Sequence, residues 1–187
     1  MISLIALWLP ILLSAVAVFI VSSIIHMVLK YHNTDFGKIP AEAGVMEAMR
    51  GFNIPPGDYV LPHAGDMAEM GSPEFKEKMN QGPVAFMTVL PNGPSGMGKS
   101  LALWFLYSLL VGVFVAYISR MSLPGGTDYL LVHRVTGATA FCCYSMAHLT
   151  SSIWYKKAWS GTMKNVLDGL IYGLVTGGVF GWLWPAA

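Results

Sequence analysis

The chain has 187 residues, 55% of them hydrophobic and only 11% charged, about half the charged share of a typical soluble domain, so it lacks the polar surface to coat itself in water. A formal net charge of +1 gives no electrostatic reason for a nucleic-acid partner or a strongly acidic substrate. The only cysteines, Cys142 and Cys143, are adjacent in an apolar run; they cannot staple distant parts of the chain and read as small buried apolar residues.

In chain order, the first uncharged stretch covers 2–29. No Lys or Arg precedes it, and it is longer than the apolar part of a signal peptide, so a retained membrane helix is expected over 1–30. The segment 31–99 is polar and holds eight of the eleven prolines, a composition closer to a strap than to a compact domain. Within it, one short helix is expected from Pro40, with Val45, Met49 and Phe52 on one face. A second has Ser72 as cap, Pro73 in its first turn and Gly82 past its end, and 84–90 suits a short strand.

Three further uncharged stretches, 100–119, 135–155 and 169–185, are each able to cross a hydrocarbon core of about 30 Å as a helix, the last helix being expected over 166–185. The expected fold is therefore an all-α membrane protein: four transmembrane helices, a proline-rich polar segment between the first and second, and a three-helix region over 100–187.

Charge sets the orientation. Near the ends of the spans, Lys30, Lys38, Lys99, Lys156, Lys157 and Lys164 fall on one side, and Arg120 and Arg134 on the other. The positive-inside rule places the polar segment in the cytoplasm and both termini outside it. Trp104, Trp154, Tyr155 and Trp159 would line the inner interface, with Trp8, Tyr117, Tyr129, Trp182 and Trp184 at the outer one.

Gly169, Gly173, Gly177 and Gly181 repeat every four residues and share one face of the last span. In lipid, helices associate through close van der Waals contact, which such a face permits. Thr139, Cys143, Ala147 and Ser151 form a matching stripe on the third span, so a tight antiparallel hairpin of spans three and four is expected; a second subunit is the other possible occupant of the groove.

Several residues carry candidate chemistry. Gly93-Pro94-Ser95-Gly96-Met97-Gly98-Lys99-Ser100 fits the phosphate-loop pattern GxxxxGK[ST] letter for letter. The stretch after it reads as a membrane span and no strand ending in a magnesium-binding Asp is visible, so a flexible turn is expected there and no nucleotide.

His26 and His148 fall in the inner halves of their spans, and Asp168 enters the last span near the same side. Facing histidines suit a haem held through both axial positions, or with Asp168 a metal ion or a mobile proton. By residue count their depths differ by about one helical turn, and Lys164, four residues before Asp168, is its expected ion-pair partner, so structural roles are expected for all three. His63, Met67 and Met70 offer soft ligands suited to Cu(I), although methionine more commonly fills gaps and adaptable surfaces. No cofactor is expected on these grounds, with haem and copper as the alternatives. No GxSxG, HExxH or paired-carboxylate arrangement is present, and no enzymatic activity is expected.

The run GPVAFMTVLPNGPSGMGKSLALWFLYS, with SIWYKKAW and the final DGLIYGLVTGGVFGWLWP, resembles a group of uncharacterised small bacterial inner-membrane proteins with no assigned function. That resemblance covers most of the chain and implies a bacterial inner-membrane setting, with no activity or site residue. The sequence alone leads to an accessory, scaffold or assembly subunit that works through helix packing and binds the bilayer and other membrane subunits or itself. A small oligomeric transporter or channel, and a haem- or metal-binding redox protein, are the alternatives.

Overall fold

The computed structural model describes residues 2–94 and 96–186. It is mostly helical and divides into two compact units, Met1–Gly37 with Gly96–Ala187, and Lys38–Ser95.

The first unit is built on four long helices: α1 (Trp8–Ile24), α5 (Met97–Ser122), α6 (Tyr129–Tyr155) and α7 (Trp159–Trp182). The elements between α1 and α5 are α2 (Glu42–Gly51), β1 (Gly57–Leu61), α3 (Met67–Gly71), α4 (Pro73–Gln81) and β2 (Ala85–Val89), all in the second unit. A 3-10 turn, Ile5–Leu7, leads into α1, and Pro10 sits in the first turn of that helix, where a missing N–H is harmless.

The far end of α1 widens into a π-helical turn, Ile25–Leu29, and stops at Lys30, whose φ of 55° is left-handed. A 3-10 turn, Tyr31–Thr34, follows at once. Helix α6 starts at Asp128, whose carboxylate accepts from the backbone N–H of Leu130 at 2.9 Å. The helix therefore begins ahead of the uncharged stretch that opens at 135.

The four helices pack in a ring of neighbours, α1 on α5 and α7, and α6 on α5 and α7. Leu7, Val18, Val115, Val132, Ala140 and Phe180 are buried between them, together with a large share of hydroxyl residues: Ser14, Ser108, Ser119, Thr136, Ser145 and Thr176. The outward faces carry the large apolar side chains, among them Ile20, Leu103, Leu106, Leu110, Phe114, Leu170 and Leu174. Two stretches are long and apolar enough to cross a membrane, Ile5–Leu29 and α5. Helices α6 and α7 match them in length, but α6 carries more hydroxyl and ionisable residues and α7 more glycine.

Helix α7 lies against α6 through its glycines. A Cβ added at Gly173 would come within 2.8 Å of the Gly137 carbonyl oxygen, and one at Gly177 within 2.7 Å of the His133 carbonyl oxygen. Gly181 faces Tyr129, and Gly169 faces Ser145. The residues that meet the glycine face are thus Tyr129, His133, Gly137, Phe141 and Ser145, a stripe two positions away from Thr139, Cys143, Ala147 and Ser151. Gly137 marks the register, because there glycine faces glycine: its carbonyl oxygen lies against Gly173 and its Cα against Gly177.

In the second unit, β1 and β2 form an antiparallel pair with Tyr59 opposite Met87. Helix α4 has the expected cap, the Ser72 hydroxyl accepting from the Phe75 N–H at 3.1 Å, with Pro73 in its first turn and Gly82 at φ 63° after its end. Residues 31–37 and 96–99, expected in the polar segment, belong to the helical unit: the former carry side chains that bond to α7, and Met97 opens α5. The phosphate-loop-like stretch accordingly runs into the first turn of α5, with Gly93 at φ 108°; its Ser95 lies outside the described residues.

Candidate functional site

The candidate site sits where the C-terminal end of α1 meets the first half of α7. The charged and titratable groups of the bonded cluster other than His26 come from residues 31–35, the 3-10 turn and its C-cap, and from α7. The widened turn Ile25–Leu29 and the left-handed Lys30 reverse the chain, which lays Tyr31, His32 and Asp35 against α7. A π-helical turn places side chains off the α-helical spacing, and such turns recur at binding sites.

Asp168, 3% exposed, is the hub. One carboxylate oxygen accepts from the Tyr31 hydroxyl, and the other lies 2.8 Å from His32 Nε2 and 4.0 Å from His26 Nε2. The second nitrogen of each imidazole is also held. His32 Nδ1 lies 2.6 Å from Asp35 Oδ2, and His26 Nδ1 lies 3.0 Å from the Ser22 carbonyl oxygen. The two rings stack in parallel, 4.5 Å between centroids and 5° between planes.

Lys164 closes the far side. Its ammonium donates to Asp35 Oδ1 at 2.7 Å, the Tyr31 carbonyl oxygen at 2.7 Å and Thr34 Oγ1 at 2.8 Å. The expected pair of Lys164 with Asp168 is therefore corrected: Lys164 is drawn to Asp35 on the turn, and Asp168 is satisfied by Tyr31 and His32 instead. The Lys164 ammonium, with His32 next, holds the Asp35 carboxyl below the usual carboxylate range. Burial, reinforced by the bond to Asp168, holds the Tyr31 phenol well above its ordinary value.

The hydrogen bonds fix which nitrogens are free. A carbonyl oxygen can only accept, so His26 Nδ1 carries a proton, and Nε2 is the nitrogen left to face the Asp168 carboxylate. His32 Nδ1 faces Asp35 and Nε2 faces Asp168, so a proton on Nδ1 satisfies Asp35 and leaves Nε2 as the atom that could take a cation. One ligand atom each from His26, His32 and Asp168 lies within 4.8 Å of the other two. Two imidazoles and a carboxylate are a donor set for Zn²⁺, Fe²⁺ or Mn²⁺, whose ligand atoms stand about 3.4 Å apart in a tetrahedral shell. The set has to draw in by about one ångström; His26, whose side chain is half exposed at the π-helical turn, is the arm free to move.

A cavity of about 660 Å³ opens beside the cluster, and His26 and Asp168 form part of its wall. His148 lines the same cavity, so the structure gathers His26, His148 and Asp168 around one space, with His148 outside the bonded cluster. Parallel rings 4.5 Å apart cannot serve as the two axial ligands of one haem, which approach the iron from opposite faces, and a shared ion requires one ring to tilt so that the two in-plane lone pairs converge.

His63, Met67 and Met70 lie in the second unit, on the segment after β1 and on α3, with both methionines exposed. Both cysteines are free thiols, as expected, but Cys142 faces outward and Cys143 lines the cavity, in place of the expected burial. Ala147 lines the cavity too. The Ser152 hydroxyl, one helical turn from His148, is bonded to Thr162 Oγ1 at 2.6 Å.

Comparison with known proteins places no external constraint on this site: no protein family, curated protein or solved structure matches the chain.

Proposed function

We propose that this chain is a four-span protein of the bacterial inner membrane that holds one divalent transition-metal ion between His26, His32 and Asp168, near the cytoplasmic ends of its helices. The observation that carries the metal reading is the doubly held geometry: three ligand atoms within 4.8 Å, and each imidazole anchored through its other nitrogen. Metal-binding histidines are oriented in this way, by an acceptor at the nitrogen that does not bind the ion. Asp35 and the Ser22 carbonyl would be those acceptors, and Tyr31 would fix the rotation of Asp168.

The membrane reading draws on the distribution of side chains. The helices turn Leu, Ile and Phe outward and keep small hydroxyl residues and glycines between them, the reverse of a soluble bundle and the arrangement that lipid favours. Lys30, Lys99, Lys156, Lys157 and Lys164 fall at the helix ends nearest the cluster, which is the cytoplasmic end by the positive-inside rule.

Three protein ligands leave at least one coordination position open, and the shared wall of His26 and Asp168 turns it toward the cavity. The ion would there take an oxygen ligand as a Lewis acid. Purification from native membranes without added chelator tests the reading: elemental analysis is expected to find about one zinc, iron or manganese per chain, lost in His32→Ala. A wild-type protein that stays metal-free after incubation with each of these ions contradicts it.

An accessory or assembly role is the second reading. The glycine face of α7 is filled by α6 of the same chain, so it is not the surface for a partner. Val45, Met46, Phe52, Met67 and Met70, exposed on the small second unit, favour a partner or lipid surface there. Cross-linking in native membranes from Phe52→Cys tests it, and the absence of any adduct counts against it.

A further inference from the structure

Helix α2 stands almost unsupported within its unit. Every residue of Glu42–Gly51 except Met49 is exposed, and the N-cap, Ala41, makes no side-chain cap bond. Ten residues are too few for such a helix to hold in water by itself, since isolated helices below about 12–15 residues are marginal. The helix is also two-sided. At about 100° per residue, Val45, Ala48, Met49 and Phe52 share one face, with Ala43, Glu47 and Arg50 on the opposite one. Arg50 and Glu47 pair at 2.6 Å, so the polar face is close to neutral.

We infer that α2 is an in-plane membrane anchor, lying on the cytoplasmic leaflet with Val45, Met49 and Phe52 sunk into the boundary between headgroups and acyl chains. The apolar surface that leads to this face starts on a span, which selects lipid as its occupant. Met27, Val28 and Leu29, at the end of α1, are exposed; Phe36 is 92% exposed, the most of any large apolar side chain among the described residues, and Ile39 is more than half exposed. Only residues 38–41 separate Gly37 from α2, and five backbone steps reach about 18 Å at most, so the start of α2 cannot travel further than that from the surface where α1 ends. The second unit is tethered again at its other end, where α5 opens at Met97. Residues 38–95 hold seven acidic against four basic side chains, so apolar contact and not attraction to anionic headgroups holds the helix down. The inference rests on the four-span reading, is independent of the metal ion, and gives the exposed face of α2 to lipid rather than to a protein partner.

The test is spin-label accessibility in the full chain, reconstituted in phosphatidylcholine nanodiscs with Cys142 and Cys143 replaced by Ala. Nitroxides are introduced one at a time through Val45→Cys, Met49→Cys, Ala43→Cys and Glu47→Cys, with Phe114→Cys, on the outward face of α5, as the reference in lipid. The ratio of collisions with oxygen to collisions with a water-soluble nickel chelate is expected to be several-fold higher at Val45 and Met49 than at Ala43 and Glu47. Phe52→Asp, in the middle of the apolar face, is expected to bring the Met49 ratio down to that of Glu47 and to leave Phe114 unchanged. Water-like ratios at all four α2 positions, with a lipid-like Phe114, overturn the inference and spare the four-span reading. Labels at Val45 and Met49 that are shielded from both reagents mean that protein covers the face, and overturn it as well. A water-like ratio at Phe114 removes the membrane reading on which the inference stands.

Discussion

His32 Nε2 lies 2.8 Å from Asp168 Oδ2 across 136 residues of sequence, tying the turn that follows α1 to the first half of α7. With the bond from Tyr31 to Asp168 and three from Lys164, that contact holds the turn against α7, and it lies where an ion would sit. Tyr31 bonds to Asp168 and Asp35 to His32, and Lys164 holds the same turn through Asp35, Tyr31 and Thr34.

Lys164 anchors the turn with three hydrogen bonds from one ammonium. Lys164→Ala is expected to cost about 2 kcal/mol, because it leaves Asp35 with His32 but without its ammonium partner and frees one backbone carbonyl and one hydroxyl acceptor. Denaturant unfolding of the purified protein measures it. The double variant with Asp35→Ala is expected to cost less than the sum of the two single changes, since each removes the same bond.

The close approach of α6 and α7 predicts a sharp contrast among neighbouring glycines. Gly173→Ala and Gly177→Ala each push a methyl into a backbone carbonyl and are expected to cost about 1–3 kcal/mol. At Gly178 the nearest atom is the Tyr129 hydroxyl oxygen at 3.9 Å, so Gly178→Ala is expected to leave stability unchanged or raise it through helix propensity. Thermal melts of the three variants side by side decide the matter; equal melting temperatures would show that the glycines do not set the helix spacing.

The orientation is open to labelling. With Cys142 and Cys143 replaced by Ala, Asp66→Cys is expected to react with a membrane-impermeant maleimide only after the cells are permeabilised. Reaction in intact cells would turn the bundle over and place the cluster on the outer side.

An ion bound to the folded state and not to the unfolded chain raises apparent stability by mass action, about 2.7 kcal/mol at a hundredfold excess over the dissociation constant. Added zinc is therefore expected to raise the melting temperature of the wild type and to leave that of Asp168→Asn in place. Equal shifts in the two proteins would locate the bound ion elsewhere.

Much of the fold was readable from residue order. The uncharged stretches give the four long helices, and Ser72, Pro73 and Gly82 mark α4 at both ends because a cap, a first-turn proline and a glycine stop each act within a few bonds. Strand β1 escaped notice, since Pro55, Pro56 and Pro62 crowd a five-residue run.

At the site, His26 and Asp168 stand out as ionisable residues in apolar surroundings, but His32 does not. It lies just past Lys30, in what reads as the start of a polar strap, and only a reversal of the chain brings it back to α7. The residue at that reversal is a lysine with positive φ, where sequence would signal a turn with glycine or asparagine. The one trace was local: His32 and Asp35 stand three residues apart, a spacing at which side chains on a helical turn meet. The register of α6 against α7 was equally hidden, because the stripe that meets the glycines includes Tyr129, His133 and Phe141, large residues that a search for small ones passes over.

The ion site is tested most directly by cobalt substitution. Chelator-treated protein titrated with Co²⁺ is expected to develop visible d–d bands of a low-coordinate nitrogen and oxygen site, saturating at one equivalent, in the wild type and in His148→Ala. The bands are expected to vanish in His32→Ala and Asp168→Asn. A spectrum no different from free Co²⁺, or one that survives unchanged in His32→Ala, would contradict a metal centre at His26, His32 and Asp168.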